Sequence, residues 1–192
     1  INEDKDKKHD RIIFNLSNNQ KLIYNDVRKF GFIKFIQRAG LEQNAHLKHL
    51  GPEPMSAKFN IGYFKDYTTG KERNIKNILM DQKFISGLGN IYVNEILFLS
   101  GVKPVKKIKK LTDVEVKKII KFTKKIISKA IILGGSSIKD FSSSSGKKGS
   151  FQQYFNVYGK KGENCPKVKC KGKIKKIVVS NRASFFCNKC QK

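Results

Sequence analysis

The apolar positions of this chain follow two regimes. Near the start they come in short bursts. Residues 11–16 and 21–24 are apolar-rich runs flanking Ser17-Asn18-Asn19-Gln20, a pattern that predicts a β-hairpin. Residues 31–36 (GFIKFI) predict a third strand. Two or three strands cannot bury a face unaided, so the pattern predicts the end of a larger sheet. Gly51-Pro52-Glu53-Pro54 reads as a hinge or linker, and beyond it the period becomes helical. Phe59, Tyr63 and Phe64 recur at helical spacing within 56–67, most simply as a core face, and 71–76 reads as a polar bridge.

The stretch 79–101 predicts helix, glycine turn, helix. Leu79, Met80, Phe84 and Ile85 supply a short apolar first helix, and Gly87-Leu88-Gly89 breaks it. Asn90 is placed as an N-cap ahead of Ile91, Tyr92, Ile96, Leu97 and Phe98, and Gly101 is placed to end the second helix. A helix start reached through glycines exposes unpaired N–H groups that suit a phosphate. The same spacing also describes an ordinary helical hairpin packed in a core. Thr112-Asp113-Val114-Glu115 is a capping box opening a helix that runs to about Leu133, where Gly134-Gly135 ends it. Its expected buried stripe is Val116, Ile119, Ile120, Ile127 and Ile131, with six lysines on a solvated face.

Two further segments carry candidate chemistry. Residues 142–150 (SSSSGKKGS) have the composition of a flexible linker and equally of a loop that orders over a ligand. Cys165-x4-Cys170-x16-Cys187-x2-Cys190 uses all four cysteines of the chain. Two close pairs around a hairpin-length insert match a tetrahedral four-cysteine zinc site, closed and hence structural. Two disulfides are the alternative, disfavoured in a reducing compartment. Residues 174–179 and 183–186 predict the hairpin strands, with Ser180-Asn181-Arg182 at the turn. An Arg at a metal-pinned turn is a good phosphate contact or simply a surface residue.

The 192 residues, 39% hydrophobic with 14 Phe and 6 Tyr, exclude a disordered chain. A net charge of +26 points to a polyanion partner, nucleic acid before an anionic membrane, although joint enrichment in Lys, Ile and Asn makes part of it a compositional bias. There is no long uncharged apolar run for a membrane span, and no signal peptide is expected. The expected setting is the cytoplasm, at the nucleoid, without membrane association. The start at Ile1 suggests a fragment. On the turn 25–31, Phe30 beside Arg28 and Lys29 has the make-up of a wedge that enters a base stack, or of a buried Phe at a strand start.

In order along the chain, DVRKFG, LGPEP, IKNILMDQKFISGLGNIYVNE, GGSSIKDF, VYGKKGENC and NRASFFCNKCQK together resemble the formamidopyrimidine-DNA glycosylases, from about His9 to Lys192. The resemblance implies a mixed α+β fold. Residues 1–50 would be the last strands of an N-terminal β-sandwich, 51–150 a helical helix–two-turn–helix domain, and 151–192 a four-cysteine zinc-finger β-hairpin. It implies a bifunctional glycosylase/AP lyase for base-excision repair of oxidised purines (8-oxoguanine, formamidopyrimidines), acting as a monomer on damaged double-stranded DNA with one structural Zn2+ held by Cys165, Cys170, Cys187 and Cys190.

By position, Asn90 and Arg182 would hold phosphates flanking the lesion, and Arg182 would donate a proton in δ-elimination. Arg28 and Phe30 would fill the gap and wedge the opposite strand, and His9 and Lys71 would contact DNA. Glu95 would be an acidic residue near the lesion pocket, with a catalytic part. Gly146, Lys147, Lys148 and Gly149 would belong to a loop closing over 8-oxoguanine, within 142–153.

Three departures stand out. The first cysteine pair has x4 where the family has x2, and the flank Lys71-Glu72-Arg73 is less basic than usual. The family's nucleophile, a proline followed by glutamate, has no counterpart in Ile1-Asn2-Glu3. The chemistry needs an amine to attack the sugar C1′, and a solvated lysine is mostly protonated at neutral pH. These 192 residues are therefore expected to bind DNA without excising a base. A non-catalytic zinc-ribbon nucleic-acid module, or a decayed paralogue, is the alternative.

Overall fold

The structure is a computed structural model that describes residues 7–136 and 149–192. Its organising element is helix α3 (Asn90–Ser100), in which every residue from Val93 to Phe98 is buried. A helix enclosed on this many sides must be apolar nearly all round, and its three buried polar residues, Asn94, Glu95 and Ser100, must find partners. Gly101 ends it in the left-handed conformation (φ 76°), returning its N–H to the Leu97 and Phe98 carbonyls. The N-cap is Gly89, and Asn90 is the first helical residue. The expected capping role of Asn90 is thus corrected: its side chain is engaged elsewhere.

The first helix of the pair lies earlier than the apolar spacing suggests. Helix α2 covers Ile75–Leu79 and is capped by Asn74, whose side chain accepts from the Asn77 N–H. Met80, Phe84 and Ile85 lie on successive turns, because polar side chains there bond locally to backbone. Asp81 accepts the Lys83 N–H at 3.0 Å. Gln82 spans the turn, accepting the Gly87 N–H at 2.8 Å and donating to the Leu88 carbonyl at 3.0 Å.

Helix α1 (Ile61–Thr68) and long helix α4 (Asp113–Ile132) complete the helical part. The capping box of α4 is present: Glu115 N–H donates to Thr112 Oγ1 at 3.2 Å and Thr112 N–H to Glu115 Oε2 at 3.0 Å. Its buried face is Val116, Ile119, Thr123, Ile126 and Ala130, flanked by Ile120 and Ile127. Ile131 is 68% exposed and leaves the expected stripe, since Thr123 and Ala130 complete the helical period and Ile131 points about 100° away from Ala130. Phe84 centres an aromatic cluster, edge-on to Phe64 with ring centroids 5.1 Å apart and stacked on Tyr63 at 5.7 Å. The Tyr63 hydroxyl donates to the Phe84 carbonyl at 2.8 Å. Phe59 lies before α1 and is still fully buried against Phe84.

The stretch after Leu50 is no loose hinge. Gly51 N–H donates to Gln82 O at 2.8 Å, and Ser86 N–H to Pro52 O at 3.1 Å. A Cβ at Gly51 would lie 2.5 Å from the Phe84 carbonyl, so only glycine allows this approach.

The first hairpin pairs β1 (Asp10–Asn15) with β2 (Lys21–Asn25), antiparallel as expected. The expected strand 31–36 is absent. Asp26 gathers the N–H groups of Arg28, Lys29 and Gly31 at 3.0, 2.9 and 2.8 Å, which folds 26–31 into a loop. Beyond it Phe32 and Phe35 are exposed rather than laid on a sheet. The second hairpin pairs β3 (Ile174–Val179) with β4 (Arg182–Cys187) through Ser180 and Asn181, both at positive φ (48° and 58°) as a two-residue turn requires. Phe151 and Phe155 pack into the helical core. Val157 joins a second cluster with Phe98, Ile174, Phe185 and Cys187.

Candidate nucleic-acid interface and metal centre

The four cysteines converge. The sulfurs of Cys165, Cys170, Cys187 and Cys190 all lie within 4.8 Å of one another, with Cys165–Cys190 and Cys170–Cys187 both 3.7 Å apart. None is disulfide-bonded. A tetrahedral ion with metal–sulfur bonds of about 2.3 Å needs sulfurs about 3.8 Å apart, so the donor set fits a metal ion. Gly172 makes room for it: a Cβ there would sit 2.5 Å from Cys187 Sγ and 3.3 Å from Cys170 Sγ. Burial pushes the Cys187 thiol up, but the Cys190 and Lys189 N–H groups that bond its sulfur prevail and bring it down to about 7. Burial raises the thiols of Cys165 and Cys190.

The cysteine cluster anchors the hairpin; Arg182, expected at its turn, is instead the first residue of β4, paired with Val179, and the free edge of that hairpin lies on the two helices of the glycine turn. Strand β4 pairs with β3 on one side only, so alternate residues present unpaired backbone groups on the other. The Ala183 carbonyl there accepts from Asn90 Nδ2 at 3.0 Å and from Lys76 Nζ at 2.9 Å. Lys76 also donates to Ser184 Oγ at 2.6 Å. At the next outward position the Phe185 N–H donates to Asn94 Oδ1 at 2.6 Å. Lys76 is 1% exposed, and burial first, with repulsion from Arg182 second, lowers its pKa to about 8. Beside this joint lies an open depression of about 390 Å³ lined by Arg73, Asn77, Gln82, Ser180 and Arg182 among others. Asn90 and Arg182 are thus brought to one place, one opening α3 and the other beginning the strand that α3 holds. Three N–H groups of the first turn of α3 lack intrahelical acceptors by the geometry of any helix start.

The remaining site residues fall in separate places. His9 precedes β1, and its carbonyl accepts the Asp26 N–H at 3.0 Å, which ties it to the loop carrying Arg28 and Phe30. Phe30 is 84% exposed, which rules out the reading of it as a buried strand residue. The amides of that loop, Gly31 first, outweigh desolvation and hold the Asp26 carboxyl below its usual range. Lys71 follows α1, with its ammonium 3.8 Å from the Tyr67 ring centroid and donating to the Tyr67 carbonyl. Gly146, Lys147 and Lys148 lie outside the described residues. Gly149 accepts from Gln152 Nε2 at 2.6 Å, and the base of this segment is closed by the bridge between Ser136 and Ser150.

Glu95, expected near the lesion pocket, lies inside the fold. It is fully buried, and its carboxylate accepts the N–H groups of Asn156, Val157 and Tyr158 and the Asn156 side-chain amide, all at 2.8–2.9 Å. Its bonding capacity is spent on holding the chain ahead of the cysteines. Sequence reasoning passed over Lys76 and Asn94. In the sequence Lys76 reads as part of the polar bridge 71–76, and its only signal is a lysine flanked by Ile75, Ile78 and Leu79. No helix among the described residues is long and apolar enough to cross a membrane.

Residues 50–142 match the family model described as the formamidopyrimidine-DNA glycosylase H2TH domain. Among curated relatives, the formamidopyrimidine-DNA glycosylase of Rickettsia bellii is 43% identical over 186 residues, covering 97% of this chain and 67% of the relative. That of Roseobacter denitrificans is 37% identical over 97% of this chain and 66% of its own length. The chain therefore spans about two thirds of the length of the relatives it matches. The Lactococcus lactis Fpg in complex with an abasic site containing DNA superposes with a TM-score of 0.88 at 35% identity, over 99% of this chain and 69% of that one. At this identity and coverage the chain belongs to the formamidopyrimidine-DNA glycosylase family.

Proposed function

We propose that this chain supplies the DNA-gripping part of a base-excision repair enzyme, a glycosylase/AP lyase for oxidised purines, and that its partner is damaged double-stranded DNA bound at the nucleoid by a monomer. The observation that carries this reading is that Asn90 Nδ2 bonds the carbonyl of Ala183, next in the chain to Arg182, which lines the open depression beside the joint of α3 and β4. In it, the Asn90 amide, the Arg182 guanidinium and the start of α3 hold backbone phosphates flanking an extruded nucleotide. Arg182 also takes the family's part as proton donor in δ-elimination. Exposed Phe30 enters the base stack with Arg28 in the gap. His9 and Lys71 add contacts along the backbone, and the segment 146–149 covers the damaged base. Glu95 acts at a distance from the sugar, by fixing the chain that leads to the cysteines.

In this reading the metal is one Zn2+ on Cys165, Cys170, Cys187 and Cys190, and its contribution is to fix the hairpin. The chain divides near 1–50, 51–150 and 151–192, with the change of packing partner between Phe155 and Val157. Excision belongs to the complete architecture, with an amine nucleophile outside these residues.

Borohydride trapping of the purified 192-residue chain on a duplex carrying an abasic site tests this division. The expected result is lesion-selective binding, about one zinc per chain, and no covalent adduct. An efficient adduct would mean that an amine among these residues attacks the sugar, and the separation of grip from chemistry would be wrong.

A further inference from the structure

The joint between α3 and β4 contains one side chain that cannot touch a ligand and yet sets where two ligand-facing residues stand. Asn94 is 1% exposed. Its Nδ2 donates to the Asn90 carbonyl, one helical turn back, at 2.7 Å and lies 3.4 Å from Asn90 Oδ1. With the amide plane fixed in this way, Oδ1 faces the free edge of β4 and takes the Phe185 N–H at 2.6 Å. The register of the hairpin explains why this N–H is available. Arg182 pairs with Val179 across the turn, so Ala183 and Phe185, at alternate positions, turn their backbone groups away from β3. The Ala183 carbonyl goes to Asn90 and Lys76, and the Phe185 N–H goes to Asn94. An aliphatic side chain at 94 would orphan a buried N–H and release the amide that orients Asn90.

We propose that Asn94 is a positioning residue of the DNA grip. By clasping the Phe185 N–H and the Asn90 carbonyl together, it locks β4 to α3, so that Arg182 and Asn90 meet the backbone as one unit. The proposal rests on the reading of those two residues as a phosphate grip. Asn94 acts through them and has no contact of its own with DNA. A clasp of this kind transmits its loss to Arg182 while leaving the cysteine cluster, at the far end of the strand, able to hold metal.

The test is a double-mutant cycle in the zinc-loaded 192-residue chain, read by affinity for a duplex with a stable abasic-site analogue. Hydrogen exchange at the Phe185 amide is followed in parallel. Asn94→Leu is expected to keep about one zinc per chain, to speed Phe185 exchange, and to weaken binding about tenfold with a shallower salt dependence. In an Arg182→Ala background the same change is expected to cost no more than about twofold, because the grip it positions is already lost. Losses that multiply across the two sites, or wild-type binding by Asn94→Leu, would overturn the proposal. Should Asn94→Leu not fold, Asn94→Ser is judged by the same criteria. If the wild-type chain shows no lesion preference, the functional reading itself fails. Unchanged Phe185 exchange in Asn94→Leu would separately refute the clasp.

Discussion

Glu95 Oε2 accepts both the backbone N–H and the side-chain amide of Asn156, at 2.8 and 2.9 Å, inside a core that excludes water. Together with the N–H groups of Val157 and Tyr158 on Oε1, this gives each carboxylate oxygen two donors. Glutamine offers one oxygen, and its NH2 would face donors. Glu95→Gln is therefore expected to destabilise by about 2–3 kcal/mol, seen as a midpoint lowered by roughly 5–10 °C in thermal unfolding. A residue acting directly on the lesion would instead leave the midpoint in place, so an unchanged melting curve would contradict the structural role.

Lys76 makes folding sensitive to alkaline pH. Its pKa falls from 10.5 in the unfolded chain to about 8 in the folded one, because burial and the nearby Arg182 disfavour the charge. Between these values the unfolded state holds a proton that the folded state has shed, so stability rises with pH across the window, by at most about 1.4 kcal/mol per unit. Its two acceptors, Ala183 O and Ser184 Oγ, are neutral, and a neutral amine still donates to them. Denaturant unfolding of wild type and Lys76→Met should show the difference moving in favour of wild type from pH 8 to 10 and staying flat below pH 7. A flat difference throughout would refute the shift.

Removal of metal should act locally. The cysteines share a small cluster with Phe98, Val157, Ile174 and Phe185, whereas the helical core around Phe84 is separate. Chelation, or Cys170→Ser, is expected to abolish amide protection along β3 and β4 and to remove lesion binding, with α4 still protected. Simultaneous loss of protection in α4 would show that the two clusters fold as one.

Phe30 stands 84% exposed on a loop held by Asp26. Phe30→Ala should change unfolding free energy by no more than about 0.5 kcal/mol, as for most surface substitutions. It should reduce the preference for an abasic duplex more than the affinity for undamaged DNA. Intact lesion preference in Phe30→Ala would remove the wedge assignment.

The features legible in the sequence are those whose cause is local. The Thr112–Glu115 box, the left-handed Gly101, the hairpin turn at Ser180 and Asn181, and the cysteine spacing each depend on a few neighbouring residues. Where a polar side chain turns the backbone against the apolar pattern, or where the partner lies far along the chain, the pattern misled. Met80, Phe84 and Ile85 have helical spacing, but Asp81 and Gln82 bond their own turns and end α2 at Leu79. Residues 31–36 are as apolar as a buried strand, yet Asp26 bends the chain ahead of them and no paired edge receives them among the described residues. Asn94 and Lys76 look unremarkable because their partners lie 91 and 107 residues away, on Phe185 and Ala183 respectively.

If Asn90 and Arg182 form a grip specific for a damaged duplex, binding exceeds the general pull of a +26 chain on any polyanion. Titration of the zinc-loaded chain with matched duplexes, one with an abasic-site analogue and one undamaged, from about 50 to 200 mM salt separates the two. The expected result is a preference for the damaged duplex that persists at the highest salt and disappears in both Asn90→Ala and Arg182→Ala. Equal affinities that fall together with salt would contradict it, leaving only a basic protein that binds nucleic acid by charge.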